Sequence, residues 1–399
     1  MSNLRSTLGR TVARLVTSER RQRLQRNLYA VHRRLAARPA VVHYFHQFDD
    51  PYSQLAATQL EALQQRYRIT LRCHPVPPPD ERAAPQAAAL AVWSQRDAAR
   101  WAGHFGLAMA STNESPQIAA DSPADRERGR RLRERLGHYL GAMFYFEGEW
   151  YWGLDRLHYL EARLCAAGLA CVATDAAIRP LFPPPALQWR HVPPATTRPI
   201  LHFFCSLRSP YTWLAVDRVC RLAEHYGAEL RIDYLLPMVM RGLPVPWIKR
   251  RYILLDTKRE ATRLGLPFGD IVDPVGRPTE RGLAVLQQAI ELGCGEAFLH
   301  SFLRGAFAEG IDAGSAAGMA LLAERAGLAA RDVEHALAST HWREIAEGHR
   351  TDLAGHGLWG VPAFRVEGFP AVWGQDRLWM VEEDLITVLL RGTQPARGA

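Results

Sequence analysis

Ser209 stands directly before Pro210 in the run FCSLRSPYTWLA that starts at Phe204. A serine before a proline is how many helices begin. The hydroxyl accepts from a backbone N–H of the first turn, and proline at the first position has no N–H to leave unpaired. The same helix end carries unpaired N–H groups and the positive end of the dipole, which stabilise an anion. A hydroxyl there can also donate to a thiolate, so capping and anion chemistry both stand from the residues alone.

Two further groups have the right chemistry. In Gly360-Val361-Pro362 the Val361–Pro362 bond is predicted to be cis, because proline alone makes that isomer inexpensive. Such a turn at the start of a strand leaves the backbone groups of Val361 to hold an extended peptide as an added strand; an ordinary strand-start proline is the alternative. In Trp373-Gly374-Gln375-Asp376-Arg377 a tight turn feeds a helix, where an acidic residue complements the dipole. With a peptide held at Val361, the side chains of Gln375 and Asp376 are placed to receive its free α-amino group.

These groups belong to the second of two similar stretches. VVHYFHQFDDPYSQLA from Val41 corresponds to ILHFFCSLRSPYTWLA from Ile200, and an offset of 159 pairs Pro51 with Pro210, Tyr52 with Tyr211, and Tyr67 with Tyr226. The closing stretches FYFEGEWYWGLDRL from Phe144 and FRVEGFPAVWGQDRL from Phe364 also correspond; Asp155 and Asp376 lie 221 apart, leaving 62 more residues in the second repeat. We read the chain as a tandem duplication.

In each repeat a short apolar run, a helix-period segment and a second apolar run give a βαβ unit, and a hairpin turning at Gly148 or Gly368 follows. A closing helix completes a thioredoxin-like α/β arrangement. The expected architecture is two tandem thioredoxin-like domains, the second with a large helical insertion from about Lys249 to Gly348. The expected bounds are a basic helical arm at 1–38, a first domain at 39–175, a proline-rich semi-rigid linker at 176–198, a second domain at 199–391 and a tail at 392–399. The first domain retains a helix-like segment at Ala87–Gly106, a polar loop STNESP and an Arg-rich helix at Asp125–His138.

With 399 residues, 48% of them hydrophobic, the chain is long enough for two cores. Its net charge of +8 is concentrated: residues 1–40 hold ten Arg and one Glu, so the remainder is close to neutral. In that arm Leu4, Leu8, Val12, Leu15 and Val16 fall on one side of a helical wheel and Leu24, Leu28, Val31 and Leu35 fall roughly opposite, which predicts two helices breaking near Ser18. The arm is expected to dock on its own protein or on the mate in a homodimer, with an anionic membrane surface or nucleic acid as alternatives. No nucleic acid is expected as the principal partner. No apolar run suggests a membrane span or signal peptide, so the expected location is the cytoplasm. Cys73, Cys165, Cys171, Cys205, Cys220 and Cys294 form no CxxC pair and no zinc-ligand spacing. Cys205 is the cysteine nearest the proposed site. His43 and His46, three apart in a strand, point to opposite faces.

From Ile200 to about Arg391, through FCSLRSPYTWLA, KRRYILLDTKREATRLGLPF, GLWGVPAF and WGQDRL, the chain resembles the 2-hydroxychromene-2-carboxylate isomerase and kappa-class glutathione transferase group, which shares its fold with DsbA-like oxidoreductases. The resemblance implies glutathione bound between a thioredoxin-fold domain and a helical bundle. It puts the sulfur-interacting serine at Ser209, the backbone partner of the cysteinyl group at Val361 beside Pro362, the γ-glutamyl binders at Gln375 and Asp376, and a basic residue near the glycyl end at Lys249. The chain departs from the pattern at Ser206, where the group has an acid, and at Arg208, where it has a small residue. Oxidoreductase relatives carry two thiols where this chain has Ser209 and Thr212, which excludes dithiol exchange by that route. The first repeat has Asp50 for Ser209, Ala142 for Pro362 and Leu154 for Gln375, and reads as a degenerate, structural or dimerising domain. The expected function is a glutathione-dependent isomerase or transferase acting on a small electrophile: thiolate addition, rotation about the bond made single, and elimination. A non-catalytic glutathione- or peptide-binding scaffold is the alternative.

Overall fold

Proline at the first helical position and a capping residue before it start the helix that follows the first strand in each half of the chain. Asp50 caps α3 (Pro51–Ala57), and Ser209 caps α8 (Pro210–His225). The computed structural model describes residues 2–108, 118, 121–171, 179–193 and 198–392, with side chains described from residue 9 to residue 391.

Each helix follows the first strand of a four-stranded sheet. The first sheet holds β1 (Val41–His46), β2 (Thr70–Pro75), β3 (Met143–Phe146) and β4 (Glu149–Trp152) in the order β2-β1-β3-β4. The second holds β5 (Ile200–Cys205), β6 (Glu229–Tyr234), β7 (Ala363–Val366) and β8 (Val372–Trp373) in the matching order β6-β5-β7-β8. In each, the first two strands run parallel and the last two are antiparallel additions.

The registers agree as closely as the order. Val41 faces Thr70 and Ile200 faces Glu229, so the sequence offset of 159 persists across both parallel pairs. Tyr44 faces Phe144 and Phe203 faces Phe364, which places those partners 220 apart. Phe144 then faces Tyr151 and Phe364 faces Val372, which are 221 apart, so one extra residue of the second half lies in its hairpin turn.

The remaining helices correct the expected insertion. Between β2 and β3 lie α5 (Ala87–His104) and α6 (Pro123–Leu136); between β6 and β7 their counterparts are α9 (Trp247–Leu264) and α14 (Trp342–Gly355). Tyr52 Oη donates to Asp97 Oδ2 at 2.6 Å on α5, and Tyr211 Oη donates to Asp256 Oδ2 at 2.9 Å on α9. Both tyrosines and both aspartates keep the 159 offset. The helix that begins near Lys249 is therefore shared by both halves, and the added bundle starts after it. It comprises α10 (Arg277–Glu291), α11 (Gly295–Arg304), a π-helical turn at Gly305–Glu309, α12 (Ala316–Glu324) and α13 (Ala330–Ala338). Closing helices α7 (Leu157–Ala166) and α15 (Leu378–Gly392) end the halves. One difference is local: α8 is continuous where the first half breaks at Thr58-Gln59 into α3 and α4 (Leu60–Arg66).

The chain forms two compact units, Met1–Ser18 with Pro185–Pro244 and Ile253–Ala399, and Glu19–Pro184 with Val245–Tyr252. In the first, Phe203 stacks on Phe364 with ring centroids 5.3 Å apart, and Trp213, Leu214, Leu378, Met380 and Leu385 are buried. In the second, Phe45, Val76, Met143 and Trp150 form a buried cluster to which Leu132, Leu136 and Tyr252 add.

The arm divides between these units. It folds as α1 (Ser2–Val16) and α2 (Glu19–Leu35), with the break at Thr17-Ser18 that the apolar periodicity predicted. The proline-rich segment has no helix or strand in its described part, yet it is docked. Leu181 N–H donates to Glu161 at 2.9 Å in one unit, and in the other Gln188 and Trp189 N–H donate to Glu382 at 2.7 and 2.6 Å. Residues 172–178 and 194–197, the whole of the STNESP loop at 111–116 and the tail 393–399 lie outside the described residues.

Candidate functional site

Ser209, in extended backbone (φ −91°, ψ 113°), caps α8. Its Oγ accepts from Thr212 N–H at 3.2 Å and donates to Val361 O at 3.3 Å. The second contact is long for a hydroxyl donor, hence weak. The Val361–Pro362 bond is cis, as expected. Pro362 O accepts from Gly374 N–H at 2.9 Å, which ties this loop to the turn before α15. Gly360 admits no side chain, because a Cβ there would lie 2.1 Å from the Trp373 ring, which itself packs against Trp359 at 4.9 Å. Three stretches far apart in sequence thus meet at the start of α8.

Gln375 and Asp376 arrive with different commitments. Gln375 is buried; its Oε1 accepts from Arg218 Nη2, and its Nε2 donates to Glu260 Oε2 at 2.8 Å. Arg218 also donates to the Gln375 backbone oxygen at 2.8 Å, while Glu260 pairs with Arg263 at 2.7 Å. Both ends of the Gln375 amide, the expected receiver of an amino group, are thus engaged inside the unit, and its oxygen supports a buried arginine. Burial pulls the Arg218 guanidinium down to about 10. The Asp376 carboxylate is partly exposed, with Oδ1 3.6 Å from Arg377 Nη1, and remains the acidic group at the turn.

Lys249 falls in the other unit. Its Nζ donates to Ala83 O at 2.8 Å, and burial brings its pKa down to about 8. Cys205 is fully buried, and burial, reinforced by the Asp233 charge, pushes its thiol well above the usual range. It is a core residue and not a nucleophile.

Sequence reasoning gave no role to Arg208, Arg218 or Glu260. Arg208 holds Asp273 through both guanidinium arms, Nε to Oδ1 at 2.6 Å and Nη2 to Oδ2 at 2.7 Å. Its signal was the departure from a small residue; its partner, 65 residues later, had none. Glu260 follows Asp256 by one helical turn, a spacing that puts both carboxylates on one face of α9. The Thr212 hydroxyl is buried and has no hydrogen-bond partner among the described residues.

The equivalent position in the first half is closed by its own groups. Asp50 accepts from Ser53 N–H at 2.9 Å and from Ser53 Oγ at 2.7 Å. Ser53 Oγ accepts in turn from Ala142 N–H at 2.8 Å and Gln47 N–H at 3.2 Å. Ala142 sits at φ +52°, and Leu154 is buried. Burial raises the Asp50 carboxyl to about 6 against these hydrogen bonds. His43 Nδ1 lies 2.9 Å from His74 Nε2, and among the described residues no group of three or more His, Cys, Asp or Glu is arranged to hold a metal ion.

Residues 200–386 match the family model of the DSBA-like thioredoxin domain. A curated relative, 2-hydroxychromene-2-carboxylate isomerase of Pseudomonas putida, is 26% identical over 191 residues, covering 46% of this chain and 92% of the relative. Similar solved structures include HCCA isomerase, at 23% identity and TM-score 0.41, with 48% of this chain and 97% of that chain covered. Another is the cytosolic disulfide reductase DsbM of Pseudomonas aeruginosa with GSH, at 19% identity and TM-score 0.38, with 48% and 98% covered.

Proposed function

Residues 200–386 being a DSBA-like thioredoxin domain, we propose that this half binds glutathione and uses it on a small electrophile, as an isomerase or a transferase. The observation that carries the reading is the Ser209 hydroxyl, shared between the first turn of α8 and Val361 O. Bound glutathione would supply a thiolate nucleophile able to add to, and leave from, an electrophilic carbon.

The residues fit such a group at its thiol end and at its amino end. Ser209 gives its proton to Val361 O over a weak bond, so redirecting that proton to a sulfur anion forfeits little and gains a charge-assisted bond. The start of α8 adds the helix dipole. Asp376 offers a carboxylate to an ammonium group, and Gln375 fixes the turn by holding Arg218. Lys249, bonded to Ala83 O, does not fit the glycyl end. Ser209 and Thr212 supply no thiol, so disulfide exchange at this helix is excluded.

The relative's name points to an acid-bearing substrate, and Arg208, next to Ser209, is suited to a carboxylate that displaces Asp273. Commitment of Gln375 and Arg208 to internal partners favours the second reading, a non-catalytic glutathione- or peptide-binding module. Turnover of model electrophiles separates the two.

Ser209→Ala in the intact chain is the test. Loss of the cap is expected to lower stability by about 1 kcal/mol, leaving the protein folded. The thiol of bound glutathione, followed by thiolate absorbance against pH, should titrate higher, and turnover should fall at least about tenfold, equivalent to about 1.4 kcal/mol. An unchanged midpoint with normal turnover would leave Ser209 as a cap alone.

A further inference from the structure

Both helices of the arm dock with their polar side inward. Gln22 and Arg26 of α2 bond to Glu149 at 2.9 and 2.8 Å, and Arg33 bonds to Glu147 at 2.8 Å. These positions recur along one side of the helix. The opposite side carries Leu24, Leu28, Val31 and Leu35, which are 65%, 65%, 51% and 84% exposed. No residue of α2 is buried.

The first helix repeats the inversion within its own unit. Arg10 and Arg14 clasp Asp270, with Nη2 of each 2.6 and 2.7 Å from Oδ2, and the Arg10 hydrogen bond holds that carboxyl down to about 2. Ala13 and Thr17 are buried beside them, and Val12 and Leu15 face outward, 44% and 56% exposed. An amphipathic helix ordinarily buries its apolar stripe against the protein it belongs to. Here arginine–carboxylate pairs hold the helices by the other side and leave that stripe unused.

We propose that the apolar side of α2 seats the protein on an anionic lipid surface. The apolar row is bordered by Arg20, Arg21 and Arg34, all exposed, and residues 1–40 carry ten Arg against Glu19. Leucines to enter the acyl boundary and arginines to meet lipid phosphates form the pattern of an interfacial helix. Charge selects this occupant over a second copy of the chain, since packing α2 on α2 would bring two strongly basic segments together. No undocking is required, because the lipid-facing side is already outward. Among the described residues no helix is long and apolar enough to cross a membrane, so the contact is peripheral.

The test is flotation of the full chain with phosphatidylcholine vesicles, with and without phosphatidylglycerol. The wild type should float with the anionic vesicles only, and less as salt rises. Replacing Leu24, Leu28 and Leu35 together by Ser should reduce the floated fraction at least roughly tenfold. Arg20→Glu combined with Arg34→Glu, which leaves the leucines intact, should remove the preference for anionic lipid and keeps the test readable if the serine variant misfolds. Failure of the wild type to float, or flotation untouched in both variants, overturns the proposal. A concentration-dependent dimer that the serine variant abolishes, without any flotation, also overturns it and assigns the face to a second copy.

Discussion

Asp50 and Ser209 cap equivalent helices, and the difference between a carboxylate and a hydroxyl there is measurable. In the folded protein Asp50 titrates at about 6 against an ordinary 3.8, so between those values the native state binds a proton that the unfolded chain releases. The stabilising contribution of this group is complete below about pH 4 and is lost as pH rises through 6; the ionised carboxylate then costs up to about 3 kcal/mol. Asp50→Asn keeps a capping oxygen and removes the charge. Urea denaturation should show the variant more stable than wild type near pH 8 and nearly equal near pH 4, whereas an equal effect at both would contradict a partly desolvated, ionised Asp50. The same residue types explain what was readable in advance. Ser209, Val361 and Pro362 occupy backbone positions that few residues suit, and the sequence alone marks them. The bonds of Gln375 and Lys249 to Arg218, Glu260 and Ala83 were not legible, because those partners are set by packing and not by spacing.

Helix α6 shows how closely one element must meet another. Its Gly129 lies against the end of β2, where an added Cβ would fall 1.9 Å from Pro75 O, a backbone atom unable to swing aside. Alanine gains at most about 1 kcal/mol in helix propensity, while forced overlap in a packed contact costs about 1–3 kcal/mol or more. Gly129→Ala should therefore lower the denaturation midpoint. Gly103 in α5, whose Cβ would meet nothing within 4 Å, is the control: Gly103→Ala should raise the midpoint by the propensity gain alone. Opposite signs are expected from the same substitution, and matching signs would refute the contact. Among the elements, the arm break and the hairpin turns were legible because periodicity and Gly placement are local signals. The correspondence of α5 with α9 was hidden, since it rests on Asp97 and Asp256 receiving tyrosine hydroxyls from helices some 45 residues earlier.

Across the molecule the halves repeat polar contacts as well as strands. Tyr67 donates to Glu161 at 3.2 Å and Tyr226 to Glu382 at 2.8 Å, and each glutamate also receives backbone N–H from the proline-rich segment beside it. The cap positions differ, Asp50 in the first half against Ser209 in the second, which gives the proposed ligand one place per chain. Titration calorimetry of the intact protein should give one glutathione per chain, and Ser209→Asp should abolish that binding; two sites, or one that survives Ser209→Asp, would refute the assignment. The closed first half carries its own consequence. Ser53 joins Asp50, Gln47 and Ala142, and Ala142 holds a φ of +52° that proline is unable to adopt. Introducing proline there removes the N–H that Ser53 Oγ accepts and forces φ away from its present value, so the hydrogen bond and the shape of the loop are lost together. A proline at position 142 is therefore barred by backbone geometry, and the first half is held to its own loop shape whatever residue caps its helix.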